Sequence, residues 1–333
     1  MINKENKQLQ FENAIANTNA AAEEPKEKKS SAKRQKKVAV LFTDFMQEEL
    51  DGCSLGISTR KNHISTINLL RTFRPDTKIA DVNFKFLCDF DFFLTSRGYG
   101  YNTVAKHMKH IKRYINMAIN LELFRIDKYP FRRYKIGYKV TKRAFMTPEE
   151  LQRFENLKLP TSKALRRSHD MFLFCCYTGM RFSDVIRLTN DNFILIGGRL
   201  WLIYTTVKTK TEIHIPLDLV FDGKAAQLHK KYKRATGLLF NTSNQSNSNI
   251  NKQLLKLAEM AEITKRISFH SSRHTNATLL LYDGTNITTV QKLLGHHSVQ
   301  TTEIYSKILD MTIVRDLEST IAKKKKRKAL TAR

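Results

Sequence analysis

Four short segments of this 333-residue chain carry side chains that can take part in chemistry. They are TGMR at 178–181, VKTK at 207–210, HSSRH at 270–274 and LLGHHSVQTTEIY at 293–305. Arginine binds anions, histidine and lysine transfer protons, and a tyrosine oxygen can act as a nucleophile. Each segment by itself is weak evidence for a functional site. In TGMR, for example, Thr and Gly often end helices, and Arg181 would then be an ordinary surface or capping residue.

The histidines also raise the question of a metal site, because His270 and His274 are spaced i, i+4. A zinc-protease motif needs a Glu directly after the first His, and Ser271 stands there instead. No thiolate or carboxylate lies nearby in the sequence to complete a ligand set. No nucleotide-binding motif is present either, so we expect neither a metal nor another cofactor.

In order and spacing, the four segments together resemble the tyrosine recombinase (phage integrase) family, over roughly residues 38–315. TGMRFSDVIRL is similar to the first box of the family, and FHSSRHTNATLLL is similar to the second. The hairpin VKTKTEIHIPL ends in Pro216-Leu217 as the family hairpin does, and LLGHHSVQTTEIY resembles the closing box. The resemblance assigns six catalytic residues: Arg181, Lys208, His270, Arg273, His296 and the nucleophile Tyr305.

The chain departs from the family pattern at two points. Ser271 and Ser272 fill the middle of HxxR, where the family often has an apolar residue, and this bears on local packing. His297 follows His296 where a small polar residue is usual, so His297 is easily mistaken for the functional histidine. Lys210 is the alternative to Lys208. In composition, the Lys-, Asn- and Ile-rich chain resembles integrases of Bacteroides-type mobile elements.

The chemistry that the resemblance implies uses each of these residue types. Attack on a DNA phosphodiester builds charge on its non-bridging oxygens, and Arg181 and Arg273 would neutralise that charge. His270 would take the proton of Tyr305, and His296 would donate a hydrogen bond to the phosphate. Lys208 would protonate the departing 5′-oxygen. The product is a 3′-phosphotyrosyl enzyme, which preserves the bond energy and allows rejoining without ATP.

The charge of the chain points to a polyanionic partner. Lys and Arg number 58 against 31 Asp and Glu, which leaves a net charge of +27 and a pI near 10.0. Nucleic acid is the leading candidate and an anionic membrane surface is second. No apolar run approaches the ~20 residues of a membrane span, and the N-terminus lacks the apolar stretch of a secretory signal. The four cysteines form no CxxC pair, which fits the reducing cytoplasm of a bacterium.

The pattern along the chain predicts a mainly α fold. A helical core-binding domain precedes a mostly helical catalytic domain with a small antiparallel β-sheet, built from two β-rich runs around a turn at 208–210. The predicted divisions are a flexible basic arm (1–37), a core-binding domain (38–136), a linker (137–146), a catalytic domain (147–320) and a basic tail (321–333). Residues 130–146 lack a clear period and read as extended basic chain. Thr147 and Glu150 form a capping box that opens the second domain.

One predicted helix combines an apolar face with a basic face. Val104, Met108, Ile111, Ile115 and Ala118 form its apolar stripe. Between Arg97 and Arg143 there are 13 Lys or Arg against two acids, which is dense enough to favour phosphate contacts. The candidate DNA-binding residues are Lys106, Lys109, Arg113, Lys142 and Arg143.

The resemblance implies a site-specific recombinase or integrase of a mobile element that acts on double-stranded DNA. It further implies a homotetramer on DNA, with accessory DNA-bending factors as candidate partners and no membrane. Two alternatives stay open at this point. One is a relaxase similar to type IB topoisomerases, and the other is a non-enzymatic DNA-binding regulator that keeps the fold.

Overall fold

The computed structural model describes residues 40–141, 143–241, 246–298, 317–318 and 320–321. The chain divides into two compact units between Val140 and Thr141, within the segment that the sequence assigns to a linker. The expected fold class is confirmed, because both units are mostly helical and the second contains a small antiparallel sheet. Within the described ranges, no helix combines the length and apolar character that crossing a membrane requires.

The first unit is built on four helices around one apolar core. These are α1 (Phe42–Asp51), α2 (Ile57–Phe73), α3 (Phe84–Ser96) and α4 (Tyr101–Asn120). The apolar stripe predicted for α4 is confirmed, since Val104 is 6% exposed and the other four stripe residues are fully buried. Asn83 caps α3 by accepting a hydrogen bond from the Phe86 N–H at 2.9 Å.

The segment after α4 belongs to the first unit more closely than its sequence suggested. Residues 130–132 are not extended chain, because Pro130–Arg132 forms a 3₁₀ turn and Phe131 is buried in the core. Asn102 then binds the backbone of Lys139 twice, donating to its carbonyl at 2.8 Å and accepting from its N–H at 2.9 Å. A side chain on α4 therefore holds the chain in place almost to Val140.

The described residues between 148 and 294 of the second unit form seven α-helices and three strands. The helices are α5 (Pro148–Glu155), α6 (Lys163–Thr178), α7 (Phe182–Val185), α8 (Lys224–Tyr232), α9 (Asn247–Met260), α10 (Phe269–Tyr282) and α11 (Ile287–Leu294). The strands are β1 (Phe193–Ile196), β2 (Arg199–Thr205) and β3 (Glu212–Pro216). They form one antiparallel sheet in the order β1-β2-β3, so the sheet has a strand, β1, that the sequence did not predict.

The N-terminal cap predicted for the second unit is confirmed. The Glu150 N–H donates to Thr147 Oγ1 at 3.3 Å, and the Thr147 N–H donates to Glu150 Oε2 at 2.7 Å. Helix α9 begins at Asn247, inside the polar stretch 241–249. Ser246 caps that helix by accepting from the Asn249 N–H at 3.2 Å.

Two buried helices form the centre of the second unit. Helix α6 is buried on every side from Ser168 onwards, and α10 is buried at every position from Ser271 to Leu281. A helix that is buried all round is normally apolar. Helix α10 instead carries the sequence SSRHTN inside the core, and these polar groups must find partners there.

Candidate active site

A glycine with a left-handed backbone conformation, Gly179, follows the end of α6 and leads into the candidate active site. Gly179 has φ +68°, and a Cβ at this position would lie 2.5 Å from Leu294 Cδ2 and 2.7 Å from Asn276 Oδ1. A residue with a side chain would therefore be strained in backbone angle and also clash with two neighbours. The chain turns sharply at Gly179, and Arg181 follows two residues later at the N-terminus of α7.

Arg273 joins three segments from the middle of α10. It is 2% exposed, and its Nη1 donates to the Gly179 carbonyl oxygen at 2.7 Å. Its Nη2 donates to the carbonyl oxygen of Leu294, the last residue of α11. Carbonyls at helix C-termini lack intrahelical partners and carry partial negative charge, so they suit a buried guanidinium. Arg273 therefore brings the segments that precede Arg181 and His296 to one place.

Arg181 has an unused hydrogen-bond donor. Its Nη1 is buried and has no hydrogen-bond partner among the described residues. Buried donors are nearly always satisfied in folded proteins, so an unpaired one points to a missing ligand. A guanidinium is always charged and matches the geometry of phosphate or carboxylate. Arg181 is thus poised to bind an anion beside Arg273.

Three histidines lie around these two arginines. Burial and the positive charge of Arg273 lower the pKa of His270 to about 4, with further lowering from Arg143, Arg181 and Lys208. Burial and Arg273 lower the pKa of His296 to about 3. Burial and His270 lower the pKa of His274 to about 3, and the His270 and His274 rings meet edge-on at 4.6 Å. All three are neutral at pH 7, and a bound anion would raise their pKa values.

The β2–β3 hairpin presents Lys208 to the same place. The Val207 N–H donates to Asp184 Oδ1 at 2.9 Å, which ties the start of the turn to α7. Lys208 is exposed, and its charge lowers the pKa of His270. Lys210 has φ +54°. The effect of Lys208 on the pKa of His270 places Lys208 near the site.

Asp184 is a site residue that the sequence analysis missed. It is 4% exposed, and besides Val207 it accepts from Ser183 Oγ at 3.2 Å. Its Oδ2 is buried and has no hydrogen-bond partner among the described residues. The signal in the sequence was its position three residues after Arg181, which is the N-cap residue of the short helix α7 that carries Asp184. It connects the arginine segment to the lysine hairpin.

The remaining candidate residues fall in different parts of the chain. Arg143 is exposed and lowers the pKa of all three histidines, so it lies near the site. Lys106, Lys109 and Arg113 lie on α4 in the first unit, where Lys109 is 6.0 Å from the centre of the Tyr138 ring. His297 is exposed. Tyr305 and Lys142 lie outside the described residues.

Comparison with protein-family models finds two matches that cover most of the chain. The Phage integrase family model matches residues 144–311. The Phage integrase SAM-like domain model matches residues 41–136.

Curated proteins with similar sequences are named as tyrosine recombinases. XerC of Anoxybacillus flavithermus is 25% identical over 290 residues, which cover 80% of this chain and 92% of that protein. A tyrosine recombinase of Pseudothermotoga lettingae is 30% identical over 172 residues, which cover 50% of this chain and 57% of that protein.

Similar solved structures share the fold at low sequence identity. The Tn1549 transposon integrase in complex with circular intermediate DNA has a TM-score of 0.66 at 15% identity, over 80% of this chain and 94% of that one. A lambda integrase tetramer bound to a Holliday junction has a TM-score of 0.67 at 17% identity, over 79% of this chain and 76% of that one.

Proposed function

This chain belongs to the phage integrase family and is a tyrosine site-specific recombinase, and on that premise we propose how its own residues act. It cleaves and rejoins double-stranded DNA through a 3′-phosphotyrosyl intermediate on Tyr305, and it serves the integration and excision of a mobile element. The observation that carries this proposal is the unpaired, buried Nη1 of Arg181, whose charge acts on His270 and His296 together with that of the buried Arg273.

The two arginines stabilise the charge that develops on the phosphate. Attack on a phosphodiester places extra negative charge on the non-bridging oxygens, and donors that are already in position stabilise it without reorganisation. Arg273 is held by two carbonyl oxygens, and Arg181 keeps a donor unused. Guanidinium groups stay protonated at any working pH, so this stabilisation does not depend on proton supply.

The remaining residues move protons. Neutral His270 accepts the proton of the Tyr305 hydroxyl as that oxygen attacks, since a phenol with a pKa near 10 is a weak nucleophile. Lys208 protonates the departing 5′-oxygen, and His296 donates a hydrogen bond to the phosphate. The ester bond to Tyr305 forms as the 5′-oxygen bond breaks, and the reverse exchange joins a partner strand without ATP.

The proposal also covers the cellular location, the oligomeric state and the DNA contacts of the chain. The chain acts in the bacterial cytoplasm as a homotetramer on DNA, in line with the lambda integrase tetramer on a Holliday junction. Lys106, Lys109, Arg113, Lys142 and Arg143 bind the DNA backbone. Accessory DNA-bending factors assist it. Similarity to the integrase of the Tn1549 transposon favours the mobile-element role, while the Bacteroides-type resemblance stays a prediction.

The proposed function is tested by an assay for a covalent protein–DNA adduct. On a nicked suicide duplex, the wild-type protein should give an adduct that survives a denaturing gel. Tyr305→Phe should abolish it and leave DNA affinity within about twofold, because only the phenol oxygen is lost. The exposed Tyr138→Phe is the matched control and should form adduct normally.

Three outcomes would count against the assignment. An adduct that persists with Tyr305→Phe would exclude Tyr305 as the nucleophile. Tight DNA binding by the wild-type protein, with no adduct on any duplex it selects, would favour the regulator that only keeps the fold. Relaxation of supercoils without exchange of partner strands would favour the relaxase.

A further inference from the structure

The segment that enters the second unit is fixed against the helix that carries Arg273. The Met146 N–H donates to Thr275 Oγ1 at 2.9 Å, and Met146 is fully buried in the core of the second unit. Thr275 is one residue from His274 and two from Arg273. The backbone at Met146 therefore has a fixed position beside the candidate active site.

The neighbouring residues are fixed as well. Lys265 Nζ lies 5.2 Å from the centre of the Phe145 ring and also pairs with Glu150, which closes the capping box of α5. Arg143 lies only two residues before Phe145. Consecutive Cα atoms are about 3.8 Å apart, so this anchored segment confines Arg143 to the neighbourhood of α10.

The charge of Arg143 acts on the site itself. It is one of the causes that lower the pKa of His270, His274 and His296. Arg143 is exposed, whereas Arg273 is buried, so Arg143 stands closer to solvent than the residue at the base of the site. Among the described residues, Arg143 has no ion-pair partner.

This arrangement is unfavourable without an anion. The charges of four basic residues, Arg143, Arg181, Lys208 and Arg273, all act on one histidine. Like charges at close range repel one another. A DNA strand would bring a phosphate to either side of the one that reacts, and an exposed arginine beside the site would meet one of these neighbours.

We propose that Arg143 is a further substrate-binding residue of the active site, whose guanidinium binds the DNA phosphate next to the one held by Arg181 and Arg273. This rests on the proposed function and refines a general DNA contact to a specific phosphate. The entry segment of the second unit thus completes the substrate site, which otherwise comes from the start of α7, helix α10, the segment after α11 and the β2–β3 hairpin.

The first experiment measures cleavage by protein variants on duplexes in which one phosphate at a time has been made uncharged. The probe is a nicked duplex carrying the sequence that the full-length wild-type protein selects from a random library. Methylphosphonate replaces one phosphate at a time, at the scissile position and two positions on each side. The variants are Arg143→Gln, Arg143→Lys and Arg166→Gln. Arg166 is the control, since it is an exposed arginine near the other end of α6, about 20 Å along a helix with a 1.5 Å rise per residue.

Arg143→Gln should slow single-turnover cleavage about 10- to 100-fold, the range expected for loss of a hydrogen bond to a charged group. Methylphosphonate beside the scissile phosphate should slow the wild-type protein by a similar factor and have little further effect on Arg143→Gln. Arg143→Lys should recover part of the rate, and Arg166→Gln should match the wild type at every position. If Arg143→Gln and methylphosphonate together reduced the cleavage rate by the product of their separate effects at all five positions, the proposal would be overturned.

A second experiment does not depend on recombinase activity. Inorganic phosphate is titrated into the DNA-free, full-length protein while the NMR signal of His270 is followed. Phosphate should bind Arg143→Gln several-fold more weakly than Arg166→Gln. Equal affinities would overturn the proposal. If no duplex yields a wild-type adduct, the proposed function fails, and this titration still decides whether Arg143 contributes to an anion site.

Discussion

His270 illustrates, at the scale of single residues, how the site depends on its substrate. Burial and the surrounding positive charges lower its pKa to about 4, so this histidine is a weak base at neutral pH. A phosphodiester bound between Arg181 and Arg273 would offset part of the positive charge and raise the pKa of His270. A base is most effective when its pKa lies near the working pH, so DNA binding would itself activate the proton acceptor.

Lys208 can be tested as the proton donor with a modified leaving group. Lys208→Ala should slow cleavage of normal DNA by roughly 10²–10⁴, because a 5′-alkoxide leaves poorly without a proton. Sulfur in place of the bridging 5′-oxygen should largely restore the rate, since a thiolate departs unprotonated. Single-turnover rates on both substrates provide the measurement.

The hairpin supplies its own control for this experiment. Lys210→Ala should be mild on both substrates, and Tyr305→Phe should gain nothing from sulfur because its defect is in attack. If Lys210→Ala shows the rescue instead, the hairpin alignment is displaced by two residues. If neither lysine variant is rescued, the proton comes from another group.

Gly179 is a residue whose replacement should affect both stability and activity. Gly179→Ala adds a methyl group that meets Leu294 and Asn276 at 2.5–2.7 Å. We expect a loss of about 2–4 kcal/mol in unfolding free energy, from strain in the left-handed region together with the clash. We also expect much slower cleavage, because the Gly179 carbonyl holds Arg273.

Gly198 separates the two causes, because it has φ +75° and open space around its Cβ position. Gly198→Ala should cost only about 1–2 kcal/mol, the conformational part, and should leave cleavage normal. Urea unfolding and single-turnover cleavage of both variants give the comparison. Equal losses in the two variants would show that the contacts around Gly179 are unimportant.

At the scale of elements, α4 carries a polar cluster that its apolar stripe does not reveal. Thr66 Oγ1 lies 2.8 Å from His107 Nδ1 and 2.7 Å from His110 Nδ1. Thr66 Oγ1 also lies 3.3 Å from the Asn62 carbonyl oxygen. A hydroxyl has one proton and two lone pairs, so at least one of the two neutral rings must donate to it from Nδ1. His63 stacks on His110 at 4.1 Å between ring centres and binds Tyr114 Oη at 3.1 Å. Helices α2 and α4 are joined by this cluster.

This cluster should make the first unit sensitive to acid. Burial, followed by the charge of Lys106, lowers the pKa of His107 to about 4, and burial followed by His63 lowers that of His110 to about 3. The unfolded chain binds these protons near pH 6.5, so the stabilisation is complete above that pH and is lost as the pH falls towards 4 and 3. Between pH 7 and 4.5 we expect a loss of at least about 2 kcal/mol.

Hydrogen exchange of α2 and α4 peptides, corrected for the intrinsic pH dependence, measures this loss in the first unit alone. His107→Gln retains a side chain that can bind Thr66 but removes one titrating ring, so its protection should depend less on pH. Protection that stays constant from pH 7 to 4.5 in the wild type would contradict the prediction.

At the scale of the whole molecule, the net charge of +27 raises the question of which basic residues contact DNA phosphates and which only keep the protein soluble. Each phosphate contact contributes a slope of about −0.9 to log K against log salt. Replacing Lys106, Lys109 and Arg113 by Gln in one triple variant should therefore make the slope of log K against log salt shallower by about 2 to 3. Affinities for one duplex at several salt concentrations give the measurement.

Helix α8 offers a matched control in the second unit. Lys230→Gln, Lys233→Gln and Arg234→Gln remove the same net charge at exposed positions at the end of α8 and just beyond it. This triple variant should change the slope by less than about 1, one phosphate contact. Equal changes in the two triple variants would mean that overall charge, and not the basic face of α4, sets the affinity.

Much of this protein follows from its sequence because the relevant signals are local. The stripe of α4 has the period of a helix, and the capping box of α5 spans four residues, so neighbouring residues determine both. The helical class of both units and the family follow from such periodicity and from the spacing of the four segments. The chemistry follows from residue types, since two arginines and a tyrosine already indicate phosphoryl transfer.

The tertiary structure alone decided how distant segments meet. Arg273 binds the carbonyl of Gly179, 94 residues earlier, and Met146 binds Thr275, 129 residues later. No local pattern encodes such contacts, because they arise when α6 and α10 pack together in one core. Strand β1 was missed for a similar reason, since a run of four apolar residues has no diagnostic period and becomes a strand by pairing with β2. The positions of Arg143 and Asp184 beside the site likewise depend on which chain segments the fold brings together.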